Sequence, residues 1–107
     1  LSAYSAAKFG VAGLCDAVRS ELAADGVHVA AVFPLLIDTP LVRDAKDAAP
    51  ILRGPTLPPQ AVVDKTLRGL AAGRTRIYVP GTVRAIALLQ AIAPSVLDWY
   101  GRRMGLA

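Results

Sequence analysis

The chain has 107 residues, the size of one small domain, and 54% of them are hydrophobic, which excludes an intrinsically disordered chain. Because Cys15 is the only cysteine, an internal disulfide and a cysteine-based metal cluster are both excluded. The net charge of +4 is uneven: residues 61–107 carry seven Lys and Arg against two Asp and Glu, whereas residues 1–60 carry five against six. The basic half indicates either a solvated surface or an anionic partner.

The first predicted helix, over residues 3–24, carries Tyr4 and Lys8 four positions apart. Residues at this spacing share one face of a helix, so a phenol lies beside an ammonium group. A free phenol titrates near 10, and a cation within ~4–6 Å favours the ionised form of a phenol. The pair therefore predicts a general acid/base that works near neutral pH.

The rest of this helix predicts three kinds of surface. An approximate apolar stripe consists of Phe9, Leu14, Val18 and Leu22. The charged residues available for the other side are Asp16, Arg19 and Glu21. Small residues that allow another backbone to approach closely are Ala6, Ala7, Gly10, Ala12 and Gly13. Asp25 and Gly26 predict the end of the helix, with glycine at the position that favours a left-handed cap.

A near-continuous apolar run follows at residues 27–33 and predicts a parallel strand that is buried on both faces. His28 lies at its start and is interpreted as a structural or surface residue. The next segment, Pro34 to Pro40, follows the carboxyl end of this strand. Ligands of doubly wound sheets bind beyond such strand ends, which makes the segment a candidate binding loop.

The second half of the chain predicts a helix, a strand and a helical tail. Pro58 and Pro59 introduce the helix and Gly73 ends it. Its expected apolar stripe is Val62, Val63, Thr66, Leu67 and Leu70. A short strand is predicted over residues 74–80, with Ile77 and Val79 as its apolar positions. The tail from residue 82 is helical in pattern with a break at Pro94. Each half is expected to have one buried face. The first face consists of Val83, Ile86, Ala87, Leu89 and Ala93, and the second of Val96, Leu97, Tyr100 and Met104.

The stretch from Tyr4 to Lys8, the strand ending at Pro34 and the Asp38-Thr-Pro-Leu41 motif together resemble the catalytic half of the short-chain dehydrogenase/reductase family. The resemblance implies an α/β fold, namely the C-terminal part of a Rossmann-like doubly wound parallel sheet, with the N-terminal cofactor-phosphate half absent from this chain. It divides one partial domain into four parts. They are a catalytic helix, strand and nicotinamide loop (1–42), a substrate lid or linker (43–60), a helix and last strand (61–81) and a basic helical tail (82–107).

The resemblance also assigns roles to site residues and implies NAD or NADP as the cofactor. Tyr4 would exchange a proton with the carbonyl or alcohol oxygen, and Lys8 would stabilise the phenolate and bind the nicotinamide ribose. Tyr4 is also counted with Lys8 among the cofactor-binding residues. Pro34 would lie against the nicotinamide, while the backbone of Ile37 and the hydroxyl of Thr39 would bind its carboxamide. Leu35 departs from the family pattern, in which glycine allows a close approach and an unusual φ.

These features predict an NAD(P)-dependent oxidoreductase acting on a small-molecule carbonyl or alcohol, with this fragment inactive alone. By resemblance, we expect a homo-oligomer that packs through the first helix. We expect a cytoplasmic protein, with the tail as a candidate for peripheral membrane contact. The alternative is a non-catalytic dimerisation module, or one whose basic tail contacts a partner or a membrane surface. Nucleic-acid binding is not expected, because the arginines are scattered and aromatic residues are few.

Overall fold

The computed structural model describes residues 2–47 and 50–105. They form an α/β structure with two short parallel strands and helices around them. The helices are α1 (Ser2–Leu22), α2 (Pro40–Ala45), α3 (Pro59–Ala71), α4 (Thr82–Ile92) and α5 (Pro94–Arg103). The strands are β1 (Ala31–Pro34) and β2 (Arg76–Val79), and 3-10 turns occupy Ala23–Asp25 and Pro50–Arg53.

The helix boundaries confirm the local signals in the sequence. Gly26 follows the turn that ends α1 and has a φ of 70°, which glycine adopts without steric cost. Gly73 follows α3 with a φ of 71°. Pro59 begins α3, and Pro94 separates α4 from α5, since a proline has no N–H to donate to the preceding helical turn. Backbone chemistry alone therefore fixes these boundaries.

The two strands pair in parallel, with Ala31 opposite Arg76 and Pro34 opposite Val79. This confirms the parallel sheet, but β1 is shorter than predicted and begins at residue 31. The reason is that the first hydrogen bond between the strands is donated by the Ala31 N–H to the Thr75 carbonyl, over 2.9 Å. The prediction that β1 is buried on both faces is wrong, because its residues are half-buried or exposed and β2 is its only partner among the described residues.

The core lies on β2 beneath α3. Ile77 and Val79 are the buried hydrophobic residues of the described chain, at 2% and 3% exposure, as their alternation predicts. The predicted stripe of α3 is partly wrong, since Leu67 is 60% exposed. Gly69 is instead the buried residue of α3, because the Ile77 side chain occupies the space beside it. The face that points inward consists of Ala61, Val62, Lys65, Thr66 and Gly69, whereas Val63, Leu67 and Leu70 are exposed.

The orientation of α1 also differs from the prediction. Asp16 and Arg19 were expected on the side away from packing, yet both are half-buried. Asp16 bonds Arg76 of β2, so the charged side of α1 faces the sheet. Phe9 and Leu14 of the predicted apolar stripe are 63% and 61% exposed. Val18 and Leu22 of the same stripe are half-buried, so only the second half of the predicted apolar stripe packs, beside the ion pair.

The tail packs helix on helix, with α5 against α4. Its two predicted buried faces are largely wrong: Val83, Ala87, Ala93 and Leu97 are half-buried, whereas Ile86, Leu89, Val96, Tyr100 and Met104 are exposed. None of the helices within residues 2–47 and 50–105 is long and apolar enough to cross a membrane. The radius of gyration is 15.4 Å, against about 13 Å for a compact domain of this length, so much apolar surface stays uncovered.

Candidate active site

Tyr4 and Lys8 lie together on the first two turns of α1. The Lys8 Nζ is 5.4 Å from the centroid of the Tyr4 ring, within the range of a cation–π contact. Tyr4 is 62% exposed, so its phenol is accessible to a substrate from solvent. The helix therefore presents a proton-exchanging group and a cation on one open surface.

The candidate binding loop begins where β1 ends. Pro34 is the last residue of β1, and the next N–H, that of Leu35, donates to the Val79 carbonyl over 2.8 Å. Leu35 therefore continues the ladder with β2. Positive φ values occur, within the described residues, only at three glycines far from this loop. The leucine that departs from the family pattern thus sits in ordinary backbone without strain.

Ile37 is held in an isolated parallel bridge with Leu57. The Leu57 N–H donates to the Leu36 carbonyl, and the Asp38 N–H donates to the Leu57 carbonyl, each over 2.8 Å. Backbone groups alternate in direction along extended chain, so the N–H and C=O of Ile37 point away from Leu57. Within the described residues neither group has a hydrogen-bond partner. A ligand on that side would meet one donor and one acceptor in fixed positions.

Thr39 caps the N-terminus of α2. Its Oγ1 accepts a hydrogen bond from the Val42 N–H at 3.4 Å, and its carbonyl accepts one from the Arg43 N–H at 3.0 Å. Arg43 also pairs with Asp38, with Nε and Oδ1 3.3 Å apart. Because a hydroxyl both accepts and donates, the cap leaves the Thr39 proton available for a ligand. The turn between Ile37 and α2 is thus fixed on both sides of Thr39.

The structure does not join the two groups of candidate residues. In the part of the chain that it describes, no hydrogen bond, ion pair or aromatic contact links Tyr4 or Lys8 to Pro34, Ile37 or Thr39. Nor do His, Cys, Asp and Glu side chains of the described ranges gather into a group that could hold a metal ion. A donor and acceptor pair in the loop nevertheless suits a carboxamide, which has one carbonyl oxygen and one NH₂ group.

Sequence reasoning missed a polar and aromatic cluster on the face of the sheet that carries Arg76 and Tyr78. The Arg76 guanidinium lies 2.6 Å from the Asp16 carboxylate and 5.7 Å from the Phe33 ring centroid, and the Phe33 and Tyr78 rings stack at 5.1 Å. Hydrogen bonds from Arg19 and then from Arg76 hold the pKa of the Asp16 carboxyl below its usual value. The alternation of Arg76 and Tyr78 along one strand is the signal that could have indicated this face.

The class of protein follows from comparison with known families. The family model described as short chain dehydrogenase matches residues 1–50, which include the Tyr4 and Lys8 pair and the loop from Pro34 to Thr39. Curated dehydrogenases match over almost the whole chain. The chain belongs to the short-chain dehydrogenase/reductase family.

Individual relatives are similar over different lengths. Estradiol 17-beta-dehydrogenase 11 of Rattus norvegicus is 31% identical over 110 aligned residues, which cover 99% of this chain and 36% of that protein. The uncharacterized oxidoreductase YxnA of Bacillus subtilis is 32% identical over 103 residues, covering 91% of this chain and 29% of that protein. The 3-dehydrosphinganine reductase TSC10B of Arabidopsis thaliana is 51% identical over 39 residues, covering 36% of this chain and 12% of that protein.

The chain therefore spans about a third of the length of the full-length relatives that it matches from end to end. No solved structure shows significant similarity to it.

Proposed function

We propose that the protein carrying this chain is an NAD(P)-dependent oxidoreductase that interconverts a carbonyl and an alcohol. Membership of the short-chain dehydrogenase/reductase family supports the general class of reaction. The observation that carries the finer proposal is the exposed pair of Tyr4 and Lys8, whose ring centroid and Nζ are 5.4 Å apart. The site thus has an acid/base group that is accessible to substrate and lies next to a cation.

In this proposal Tyr4 moves the proton of the reaction. Its phenol donates a proton to the substrate oxygen during reduction, and its phenolate accepts one from the alcohol during oxidation. The Lys8 ammonium stabilises the phenolate electrostatically and holds the ribose of the cofactor. When bound, the nicotinamide cofactor supplies or accepts the hydride.

The loop after β1 holds the nicotinamide in this proposal. The N–H and C=O of Ile37, which have no partner among the described residues, match the oxygen and the NH₂ group of a carboxamide, and the Thr39 hydroxyl adds a further donor. Pro34 lies against the ring. Because the bridge to Leu57 and the Thr39 cap fix this turn, little ordering of the loop accompanies binding.

We place β1 and β2 at the C-terminal side of a larger Rossmann-like sheet. Val32 and Pro34 direct their backbone groups away from β2, since Ala31 and Phe33 use theirs in the ladder. A further parallel strand along this edge of β1 would cover its half-buried residues. It would also extend the row of strand ends beyond which ligands of such sheets bind.

The proposal is tested by replacing the phenol in the natural protein that carries this chain. Tyr4→Phe removes the acid/base group and keeps the ring, so we expect turnover with NADH or NADPH to fall by about 10²–10⁴-fold. Cofactor affinity, followed by nucleotide fluorescence, should stay within about twofold of the unmodified protein. Tyr100→Phe makes the same chemical change on an exposed tyrosine of α5 and should leave both values unchanged. Full turnover in Tyr4→Phe would disprove the assignment.

A further inference from the structure

A basic groove runs along the side of β2 that faces away from β1. It has a volume of about 1020 Å³ and lies between α3, β2 and the start of α4. Its lining includes every residue from Arg74 to Tyr78 but none from β1. The basic residues of its lining are Lys65, Arg68, Arg74, Arg76 and Arg84, and no acidic side chain joins them among the described residues that form it.

The backbone of β2 is open on this side. Thr75 and Val79 accept hydrogen bonds from Ala31 and Leu35 of the neighbouring chain segment, and Ile77 between them faces β1 as well. Alternate residues of a strand direct their N–H and C=O to opposite sides, so those of Arg76 and Tyr78 point into the groove. Within the described residues these groups have no backbone partner. A row of such groups is a template for another strand.

The charge of the groove is mostly uncompensated. Arg76 is paired with Asp16, but the other four basic residues of the lining form no ion pair with any described residue. They come from different elements around the open edge, with Arg68 on α3 and Arg84 on α4. The Lys65 Nζ lies 3.4 Å from where a Cβ on Gly81 would stand, which places this cation of α3 beside the start of α4. An anionic occupant would neutralise this cluster.

We propose that the open edge of β2 binds an extended acidic segment of a partner protein, which adds to the sheet as a third strand. Strand addition uses the backbone groups of Arg76 and Tyr78, and carboxylates at alternate positions of the segment reach the flanking cations. Because β2 has four residues, the segment needs about four or five. This inference goes beyond the proposed catalytic function and does not depend on it.

Charge and hydrogen bonding favour an acidic peptide over two other occupants, a second copy of the chain and a lipid surface. A second copy pairing through the same edge would bring the basic residues of two grooves together, and residues 76–79 contain no acid to offset that repulsion. A lipid surface would bind the cations but could not form hydrogen bonds with the strand-edge amides that point into the groove. An acidic extended peptide satisfies both the charge and the hydrogen bonds.

Binding is tested with a fluorescent eight-residue probe peptide of alternating glutamate and valine, with blocked ends, added to the natural protein. We expect saturable anisotropy that weakens at 0.5 M salt, and no binding of the matched peptide with glutamine in place of glutamate. The double variant Arg68→Gln with Arg84→Gln should weaken binding by about 3- to 30-fold. The matched control, Lys46→Gln with Arg102→Gln, removes the same charge outside the groove and should bind as the unmodified protein does.

Amide hydrogen exchange then tests the strand itself. In the free protein the Arg76 and Tyr78 amides should exchange fast, whereas that of Ile77 is protected by β1. The probe peptide should slow exchange at Arg76 and Tyr78 by at least about tenfold. Binding without that protection would mean attraction by charge alone and would overturn the proposal. Absence of binding would overturn it too, as would protection of both amides in the free protein, since a second copy or another segment would then occupy the edge.

Discussion

Asp16 and Arg76 are sixty positions apart in the chain, yet their carboxylate and guanidinium lie 2.6 Å from each other. This ion pair joins α1 to β2. Arg19 and Arg76 together lower the pKa of the Asp16 carboxyl in the folded protein. A carboxyl with a lowered folded pKa stabilises the fold above its unfolded pKa of about 3.9, and that contribution disappears as the pH falls through the folded value.

We therefore expect Asp16→Asn to lower the free energy of unfolding at pH 7 and to lower it less at pH 2, because the carboxylate charge is progressively neutralised as the pH falls through the folded pKa. Urea titrations at both pH values measure the difference. Asp98→Asn is the matched control, since no ion pair of Asp98 occurs among the described residues. An equal loss of stability at pH 7 and pH 2 would contradict the role of the charge.

Gly69→Ala should destabilise the protein. The added Cβ would lie 2.7 Å from both Cγ1 and Cδ1 of Ile77, whose side chain is 2% exposed and cannot move aside freely. Such overpacking costs about 1–3 kcal/mol, more than the ~1 kcal/mol that alanine gains over glycine in a helix. Gly101→Ala, where no atom lies within 4 Å of the new Cβ, should instead be neutral or stabilising. Denaturant unfolding compares the two, and equal effects would disprove the close packing.

Thr39→Val should lower the stability of α2 and, under the proposed function, the affinity for the cofactor. It removes the oxygen that accepts from the Val42 N–H, and loss of such a cap costs about 0.5–2 kcal/mol, with the low end expected for a 3.4 Å contact. If the hydroxyl also binds the carboxamide, affinity for NADH or NADPH should fall about 3- to 10-fold. Thr39→Ser keeps the hydroxyl and should restore both properties. Unchanged cofactor affinity in Thr39→Val would remove Thr39 from the binding site.

The stacked rings of Phe33 and Tyr78 should couple β1 to β2 energetically. Their centroids are 5.1 Å apart with an interplanar angle of 20°. A double-mutant cycle of Phe33→Leu and Tyr78→Leu should give a coupling of about 0.5–1.5 kcal/mol, as aromatic pairs do. The same cycle with Tyr100→Leu in place of Tyr78→Leu is the control, because Tyr100 lies on α5. A coupling near zero for the first pair would show that the stack adds nothing to the pairing of the strands.

Local signals in the sequence predicted α1, both strands, α3 and the break in the tail, but not α2. Gly26, Pro59, Gly73 and Pro94 mark helix ends through their own backbone chemistry, which needs no knowledge of the rest of the chain. The alternation that placed Ile77 in the core is likewise local. The resemblance that identified the family depended on short motifs within residues 1–50, where the family model also matches.

Orientation could not be predicted in the same way, because it depends on partners distant in sequence. The α3 stripe that contained Leu67 failed where the Ile77 side chain required a glycine opposite it. The polar side of α1 faces inward because Arg76 provides a partner for Asp16. The Tyr4 and Lys8 spacing placed both side chains on one face, but how that face meets the loop at Ile37 depends on tertiary packing that spacing does not encode.

The length of the connection between β1 and β2 determines how well the protein tolerates insertions in it. Pairing Ala31 with Arg76 closes a loop of about 45 residues, at an entropic cost of roughly 3 kcal/mol plus a constant. Since this cost grows only with the logarithm of length, doubling the loop adds just ~0.6 kcal/mol. Insertions between α2 and α3 should therefore leave the pairing of the strands intact. The segment that follows the loop at residues 34–40 can thus be lengthened at little risk to the fold.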